Sequence, residues 1–191
     1  LNQLYRYTQL QNSFSCNMLA LNKGRPALMN LKEILEAFVE FREEVITRRT
    51  IYELNKARDR AHILAGLAVA VANIDEIIAL IRNAPDPQTA RSQLLAKRWA
   101  ANDVAPLIEL IDDPEYPLSD DKTYQMSETQ AKAILDLRLH RLTGLERDKI
   151  AAELREITDR IAEFLDLLAN RDKLLTLLKD ELTEIKDKFA T

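Results

Sequence analysis

NLKEILEAFVEFREEVITRRTIYELNKARDRAHILAGLAVAVAN, residues 30–73, is the stretch that decides the fold. It contains no proline, and its single glycine is Gly66. Asn30 and Glu33 have the spacing of a capping box, so the pattern predicts a helix that begins at Leu31. At ~1.5 Å per residue this helix would be about 65 Å long. A small domain has no core of that length, so a partner helix must lie beside it.

The C-terminal segment supplies the partner helix. Its apolar residues recur at alternating steps of four and three, which is the heptad pattern of a coiled coil. The phase is kept if Arg171 takes the one polar turn. Asn170-Arg171 either interrupts the return helix with a kink, which we expect, or is simply its polar turn. The sequence therefore predicts a mainly α protein: a long antiparallel coiled-coil arm with a small helical globular head, plus a short N-terminal α/β remnant. The heptad seam consists of Ile150, Leu154, Ile157, Ile161, Phe164, Leu168, Leu175, Leu178, Leu182, Ile185 and Phe189.

The predicted domains are an N-terminal remnant at 1–30, the first coiled-coil helix at 31–73, a head at 74–144 and the second coiled-coil helix at 145–191. Turn and cap signals predict the elements inside them. In the remnant these are a helix end at 1–12, a strand at 13–21 and a turn at 22–26. In the head they are a helix capped by Asp75 and ending at Ile81, helices at Gln88–Trp99 and Val104–Ile111, a loop at 112–124, and a helix at Glu128–Leu142 opened by a Ser127–Gln130 capping box.

The composition argues against several classes of function. The formal net charge of -4 argues against the whole chain being a nucleic-acid clamp. The single cysteine, Cys16, forms no internal disulfide, and we expect a packed thiol in a reducing, cytoplasmic compartment. No apolar run is long enough for a membrane span. Because the chain begins at Leu1 rather than methionine, we expect it to be part of a longer protein.

The sequence contains no pattern for catalysis or metal binding. It has no glycine-rich phosphate loop, no CxxC pair and no histidine pair at metal spacing, so we expect no metal, cofactor or catalytic residue in this segment. His62 is a lone histidine that we expect to be partly exposed on its helix. Trp99 is expected to fill the core of the head.

The middle of the first long helix is basic. Arg48, Arg49 and Arg58 are candidate DNA contacts, since cations along one helix can track a phosphate backbone. The alternative is a solvated helix face whose arginines pair with nearby carboxylates.

The helix predicted at Glu128–Leu142 carries more apolar residues than one face can hold. A head of this size cannot bury all of them, so we expect the surplus to meet the same surface of a second copy in a two-fold contact. The alternative is that these side chains pack on the ends of the two long helices. Arg138 interrupts the aliphatic series near the expected contact. The candidate dimer interface is Ile134, Leu137, Arg138, Leu139 and Leu142.

Three segments resemble the A-subunit family of DNA gyrase, a type II topoisomerase. They are LYRYTQLQNSFSCNMLALNKGRPALMNLKEIL (4–35), RRTIYELNKARDRAHILAGLAVAVANIDEIIALIRNAPDP (48–87) and SETQAKAILDLRLHRLTGLERDKI (127–150). The likeness covers nearly the whole chain. The A subunit of topoisomerase IV is a near relative and an alternative. This chain resembles it less, because residues 83–126 form the longer connecting stretch that is typical of gyrase.

The resemblance implies a role in a larger enzyme. In that family two long helices form a coiled coil that projects from the DNA-cleaving core, and the head pairs with its twin as the exit gate for a transported duplex. The implied parent is an ATP-dependent enzyme that negatively supercoils DNA by double-strand passage. ATP and Mg²⁺ would act through the B subunit of an A2B2 assembly. Arg138 matches an arginine through which bacterial toxins can target this gate.

The resemblance also implies what this segment lacks. Arg6-Tyr7-Thr8 imitates the sequence around the family's DNA-cleaving tyrosine, but its flanks match the family's tower domain, whose end the resemblance places at 1–30. Tyr7 is therefore interpreted as structural and the segment as non-catalytic. Two other interpretations stay open: a coiled-coil scaffold with no enzyme attached, and a nucleic-acid-binding arm that acts through the Arg48–Arg60 run.

Overall fold

The computed structural model describes residues 2–13, 15–101, 104–111, 116–137 and 144–190 of the chain, which are mainly helical, as predicted. No single helix in these ranges is long and apolar enough to cross a membrane, and only α2 and α3 pass such a test when joined across their bend. The helices are α1 (Asn2–Tyr7), α2 (Leu31–Ala72), α3 (Ile74–Asn83), α4 (Pro87–Ala96), α5 (Ala105–Ile111), α6 (Glu128–Leu135), α7 (Gly144–Ala169) and α8 (Arg171–Phe189). The strands are β1 (Leu19–Asn22), β2 (Arg25–Leu28), β3 (Arg98–Ala100) and β4 (Thr123–Gln125).

The chain divides into two compact units, Leu1–Ile46 and Thr47–Thr191, with the division inside α2. The four domains expected from the sequence stay predictions.

The first unit contains the hairpin β1–β2. Asn22 pairs with Arg25, so the turn has two residues, Lys23 and Gly24, with φ of 50° and 78°. Positive φ at both positions is the geometry that suits the twist of a two-residue hairpin, and glycine adopts it without strain. The predicted turn is confirmed, but the strand before it begins only at Leu19. Cys16 precedes that strand and is exposed, so the predicted packed thiol is wrong.

The start of α2 is fixed by the predicted capping box. The Asn30 N–H donates to Glu33 Oε2 at 2.8 Å, and the Glu33 N–H donates to Asn30 Oδ1 at 2.9 Å. The helix then runs without interruption for 42 residues. This length confirms the long helix that opened the sequence analysis.

The end of α2 is a sharp corner at Asn73. Helices α2 and α3 meet there at 89°. The Asn73 side chain donates to the carbonyls of Val69 and Ala100, at 2.8 Å and 2.9 Å, and so ties the corner to β3. The prediction that Asp75 caps α3 is wrong, because Asn73 holds the cap position and Asp75 lies within the first turn.

In the second unit, residues 47–72 of α2 run antiparallel to the returning helices. Arg60 donates to Glu153 of α7 at 2.6 Å, and Arg49 pairs with Glu181 of α8. The residue number of the paired glutamate increases as the residue number of the arginine decreases, so the helices are antiparallel. The apolar contact comes from one buried cluster that includes Leu54, Ala61, Leu64, Ala65 and Ala68 of α2 with Leu154 and Ile161 of α7.

The return segment is interrupted at Asn170, as predicted. Asn170 leaves the helical path and accepts a hydrogen bond from the Asp172 N–H at 3.0 Å, which caps α8. After the interruption, the predicted seam residue Leu178 is buried and Leu175 is half-buried, while Leu174, which was not predicted, is buried as well. The last two predicted seam residues, Ile185 and Phe189, are exposed.

The head contains a strand pair that the sequence did not predict. Helix α4 ends at Ala96, and Trp99 lies in β3 opposite Tyr124 of β4. Both aromatic side chains are buried, and the Trp99 indole N–H donates to the Leu94 carbonyl at 3.1 Å. Trp99 therefore fills the core as expected, but from a strand instead of a helix. The predicted loop at 112–124 overlaps β4, which begins at Thr123.

Asp86 caps α4 and gives the first testable prediction. Its carboxylate accepts from the Thr89 N–H at 2.8 Å and the Thr89 hydroxyl at 2.7 Å, and these bonds lower its pKa from the usual 3.8. A lowered carboxyl pKa contributes stability above the unfolded-state value, and this stability is lost as the pH falls through the folded-state pKa. We expect Asp86→Ala to lower the Tm by a few degrees at neutral pH. The difference should become smaller in acid, where the protonated carboxyl group keeps an accepting oxygen but loses its charge.

Thermal unfolding followed by circular dichroism at a series of pH values tests this prediction. Asp86→Asn is the matched control, because it keeps an accepting cap oxygen and removes the titration. A difference between Asp86→Ala and the unsubstituted chain that is independent of pH would contradict the assigned cause.

Candidate dimerisation surface

Two of the five predicted interface residues lie in the described chain. Ile134 is 5% exposed and belongs to the core of its own chain, so it offers little surface to a partner. Leu137 is half-buried and lies just beyond α6. Arg138, Leu139 and Leu142 lie outside the described residues, and their roles stay predictions.

Helix α6 is shorter than the predicted Glu128–Leu142. Its last bond of helical spacing runs from the Asp136 N–H to the Lys132 carbonyl at 3.0 Å. The Leu137 N–H instead donates to Ile134, three residues back, at 3.1 Å. This tighter turn ends the helix, as such turns often do. Residues 138–142 of the predicted helix lie outside the described residues.

The first turn of α6 is held by the predicted capping box. The Gln130 N–H donates to Ser127 Oγ at 3.2 Å, and the Ser127 N–H donates to Gln130 Oε1 at 2.9 Å. Both side chains are buried, with Gln130 fully enclosed. Burial makes each of these bonds costly to lose, because the freed groups have no water to bind.

Gln130 also ties α6 to two other elements. Its amide nitrogen donates to the His62 carbonyl of α2 at 2.6 Å and to the Tyr124 hydroxyl of β4 at 2.8 Å. The side-chain oxygen serves the capping box, so the amide group bonds to three different residues. One fully satisfied side chain thus joins α6 to α2 and β4.

His62 adds a second link between α2 and α6. Its Nε2 lies 2.7 Å from Ser127 Oγ in a hydrogen bond, and its ring lies 5.1 Å from the ring of Tyr116. Ser127 Oγ also shares a bond of 2.8 Å with the Thr129 hydroxyl. The half-buried position agrees with the sequence expectation, but the bond to Ser127 was missed because it joins residues 65 positions apart.

Gly66 lets the two helices approach at this point. A Cβ atom on Gly66 would lie 2.6–2.8 Å from the Cβ, Cγ and Cδ atoms of Gln130, which is closer than such atoms pack. Gly66 is one helical turn beyond His62 on α2. The same turn of α6 is therefore held against two successive turns of α2.

The other predicted contact residues lie on α2. Arg49 pairs with Glu181, as the solvated-face interpretation predicts. Arg48 also takes part in an interaction, and Arg58 has a buried Nε without a hydrogen-bond partner among the described residues. Phosphate contact by these three arginines stays a prediction. No cluster of three or more potential metal ligands occurs within the described residues.

Comparison with known proteins gives one consistent result. The family model for the A subunit of DNA gyrase/topoisomerase IV matches residues 1–183. The chain is similar to the DNA gyrase A subunit of Rickettsia bellii, at 52% identity over 191 residues, which are all of this chain and 21% of that protein.

The chain is also similar to DNA gyrase A subunits from other bacteria. The DNA gyrase A subunit of Granulibacter bethesdensis is 53% identical over 186 residues, covering 97% of this chain and 20% of that protein. The Aeromonas salmonicida protein is 48% identical over 199 aligned residues, covering 100% of this chain and 22% of that protein. The chain thus spans about a fifth of the length of the curated relatives it matches.

Proposed function

Because this chain belongs to the A-subunit family of DNA gyrase and topoisomerase IV, we propose that it is the exit-gate segment of a gyrase A subunit. In this proposal two copies pair through the surface that contains Leu137 and separate to release a transported duplex. The observation that carries the proposal is the antiparallel pairing of α2 with α7 and α8. The head is the part of the chain that connects α2 to α7. An arm built this way can present a small contact surface at a distance from a DNA-cleaving core.

The proposed parent is an ATP-dependent type II topoisomerase that negatively supercoils DNA. Its other components would be a second copy of this protein, the gyrase B subunit and the transported duplex, with ATP and Mg²⁺ acting through the B subunit. The segment itself would be non-catalytic and would contribute the gate. Toxin binding at Arg138 is part of the same proposal.

The physical demands on a gate favour this assignment. A gate needs stiff levers, and α2 is an unbroken helix of 42 residues. It also needs a contact that holds the two halves but opens in each cycle. A modest aliphatic surface meets that need better than an extensive obligate interface, which would not separate on the required timescale.

Sedimentation equilibrium of the isolated chain tests the proposed pairing. We expect a reversible monomer–dimer equilibrium, with the dimer dominant at micromolar concentration. Ionic strength should change the dissociation constant little, because the proposed contact is mainly aliphatic. A chain that stays monomeric at tens of micromolar would contradict the proposal.

A further inference from the structure

We propose that His62 is a positioning residue for the contact surface. Its hydrogen bond to Ser127 fixes the angle at which α6 packs against α2, and this angle determines the position of Leu137. This inference rests on the proposed function, since it concerns how that surface is aligned for pairing. His62 is assigned no contact with the partner copy.

The α6 cap is complete without the hydrogen bond from His62. Ser127 Oγ already accepts the Gln130 N–H and shares a bond with the Thr129 hydroxyl, so it is satisfied as a helix cap without His62. The His62 ring against Tyr116 could equally be a phenylalanine ring. What only the Nε2 atom supplies is a directional bond of 2.7 Å between α2 and the first residue of the α6 cap.

Helix α6 contacts α2 at two neighbouring points besides the His62 side chain. Gln130 fixes the first turn of α6 through the His62 carbonyl, and Gly66 permits contact one turn further along α2. Helix α6 is also held by the bond from Gln130 to Tyr124 and by Ala131 and Ile134, which are buried in the core. These contacts act at and beyond Gln130, whereas the side chain of His62 bonds to Ser127, three residues earlier, and so holds the start of α6 against a change of tilt.

A small tilt at the first turn of α6 moves the far end of the helix by a larger distance. Helix α6 has eight residues and is therefore about 12 Å long. A tilt of about 10° at its first turn would move Leu137 by about 2 Å at ~1.5 Å of rise per residue. A two-fold contact repeats that displacement in both copies. A small change in the tilt of α6 would therefore displace Leu137 in both copies and reduce the fit of the two contact surfaces.

The test compares His62→Phe with His62→Gln. Phenylalanine keeps the ring against Tyr116 and removes the bond, whereas the glutamine amide can reach Ser127 Oγ. We expect His62→Phe to raise the dimer dissociation constant about tenfold and His62→Gln to stay within about threefold of the unsubstituted chain. Ser92→Ala is the matched control, because it removes one side-chain bond of 3.0 Å, to Gln88, from α4 of the same head.

A second measurement reads the position of α6 without dimerisation. Amide hydrogen exchange at 131–137 should become about tenfold faster in His62→Phe, while amides of α7 keep their rates. If His62→Phe does not fold, His62→Asn, whose amide is too short to reach Ser127, takes its place.

The outcomes separate the two proposals. Unchanged exchange at 131–137 in His62→Phe would overturn the positioning role, and so would equal losses in His62→Phe and His62→Gln. A monomeric unsubstituted chain would overturn the gate proposal, and the exchange rates would still decide the role of His62.

Discussion

Leu137→Asp is expected to convert the proposed dimer into a monomer that keeps its helices. Leu137 is half-buried at the end of α6, so its own chain leaves part of the side chain uncovered. A two-fold contact places both copies of a substituted residue in one interface, and two carboxylates would lose water and repel each other there. We expect the dissociation constant to rise at least ~100-fold, the level of a strong interface hot spot. Leu139→Asp is expected to behave in the same way.

Sedimentation equilibrium together with far-ultraviolet circular dichroism measures both parts of this prediction. Leu165→Asp is the matched control, since Leu165 is a 40% exposed leucine on α7, outside the proposed surface. The control should stay dimeric. Dimers that persist in both Leu137→Asp and Leu139→Asp would show that the surface has been assigned to the wrong residues.

Gly66→Ala is expected to destabilise the second unit by about 2–3 kcal/mol through overpacking. On an open helix face the same change would stabilise by about 1 kcal/mol, because alanine is the better helix former. Here the new Cβ would lie 2.6–2.8 Å from the inner atoms of the Gln130 side chain. That side chain cannot move aside without giving up its bonds to His62, Tyr124 and Ser127.

Chemical denaturation of the monomeric Leu137→Asp background measures this effect without a contribution from dimer dissociation. The decisive control is Gln130→Gly, which removes all three side-chain atoms, Cβ, Cγ and Cδ, that the new Cβ would meet. Gly66→Ala should then be neutral or stabilising, so the two changes should couple by about 2 kcal/mol or more, as directly contacting residues can. An equal effect of Gly66→Ala in both backgrounds would refute the clash.

Local signals made the helix starts predictable. The capping boxes at Asn30–Glu33 and Ser127–Gln130 both form, because their partners lie three residues apart and need no tertiary contact. The interruption at Asn170 could be predicted for the same reason. The strand pair β3–β4 could not, since Trp99 and Tyr124 are 25 positions apart and each strand has only three residues.

The candidate site was only partly predictable. The apolar excess of the α6 region drew attention to Ile134 and Leu137, but periodicity alone could not tell that Ile134 is buried in its own chain. The link between His62 and Ser127 left no sequence signal either. It depends on the path of α2 past α6, and a lone histidine on a helix fits many environments.

Trp99 gives the molecule a built-in optical reporter. It is the single tryptophan of the chain and is 1% exposed between α4 and β4, so its emission responds to the opening of the head. Far-ultraviolet ellipticity is instead dominated by the long helices α2, α7 and α8. Following both signals during one denaturation would therefore show whether the head and the helix pair melt as one cooperative block or as two, without any label being added.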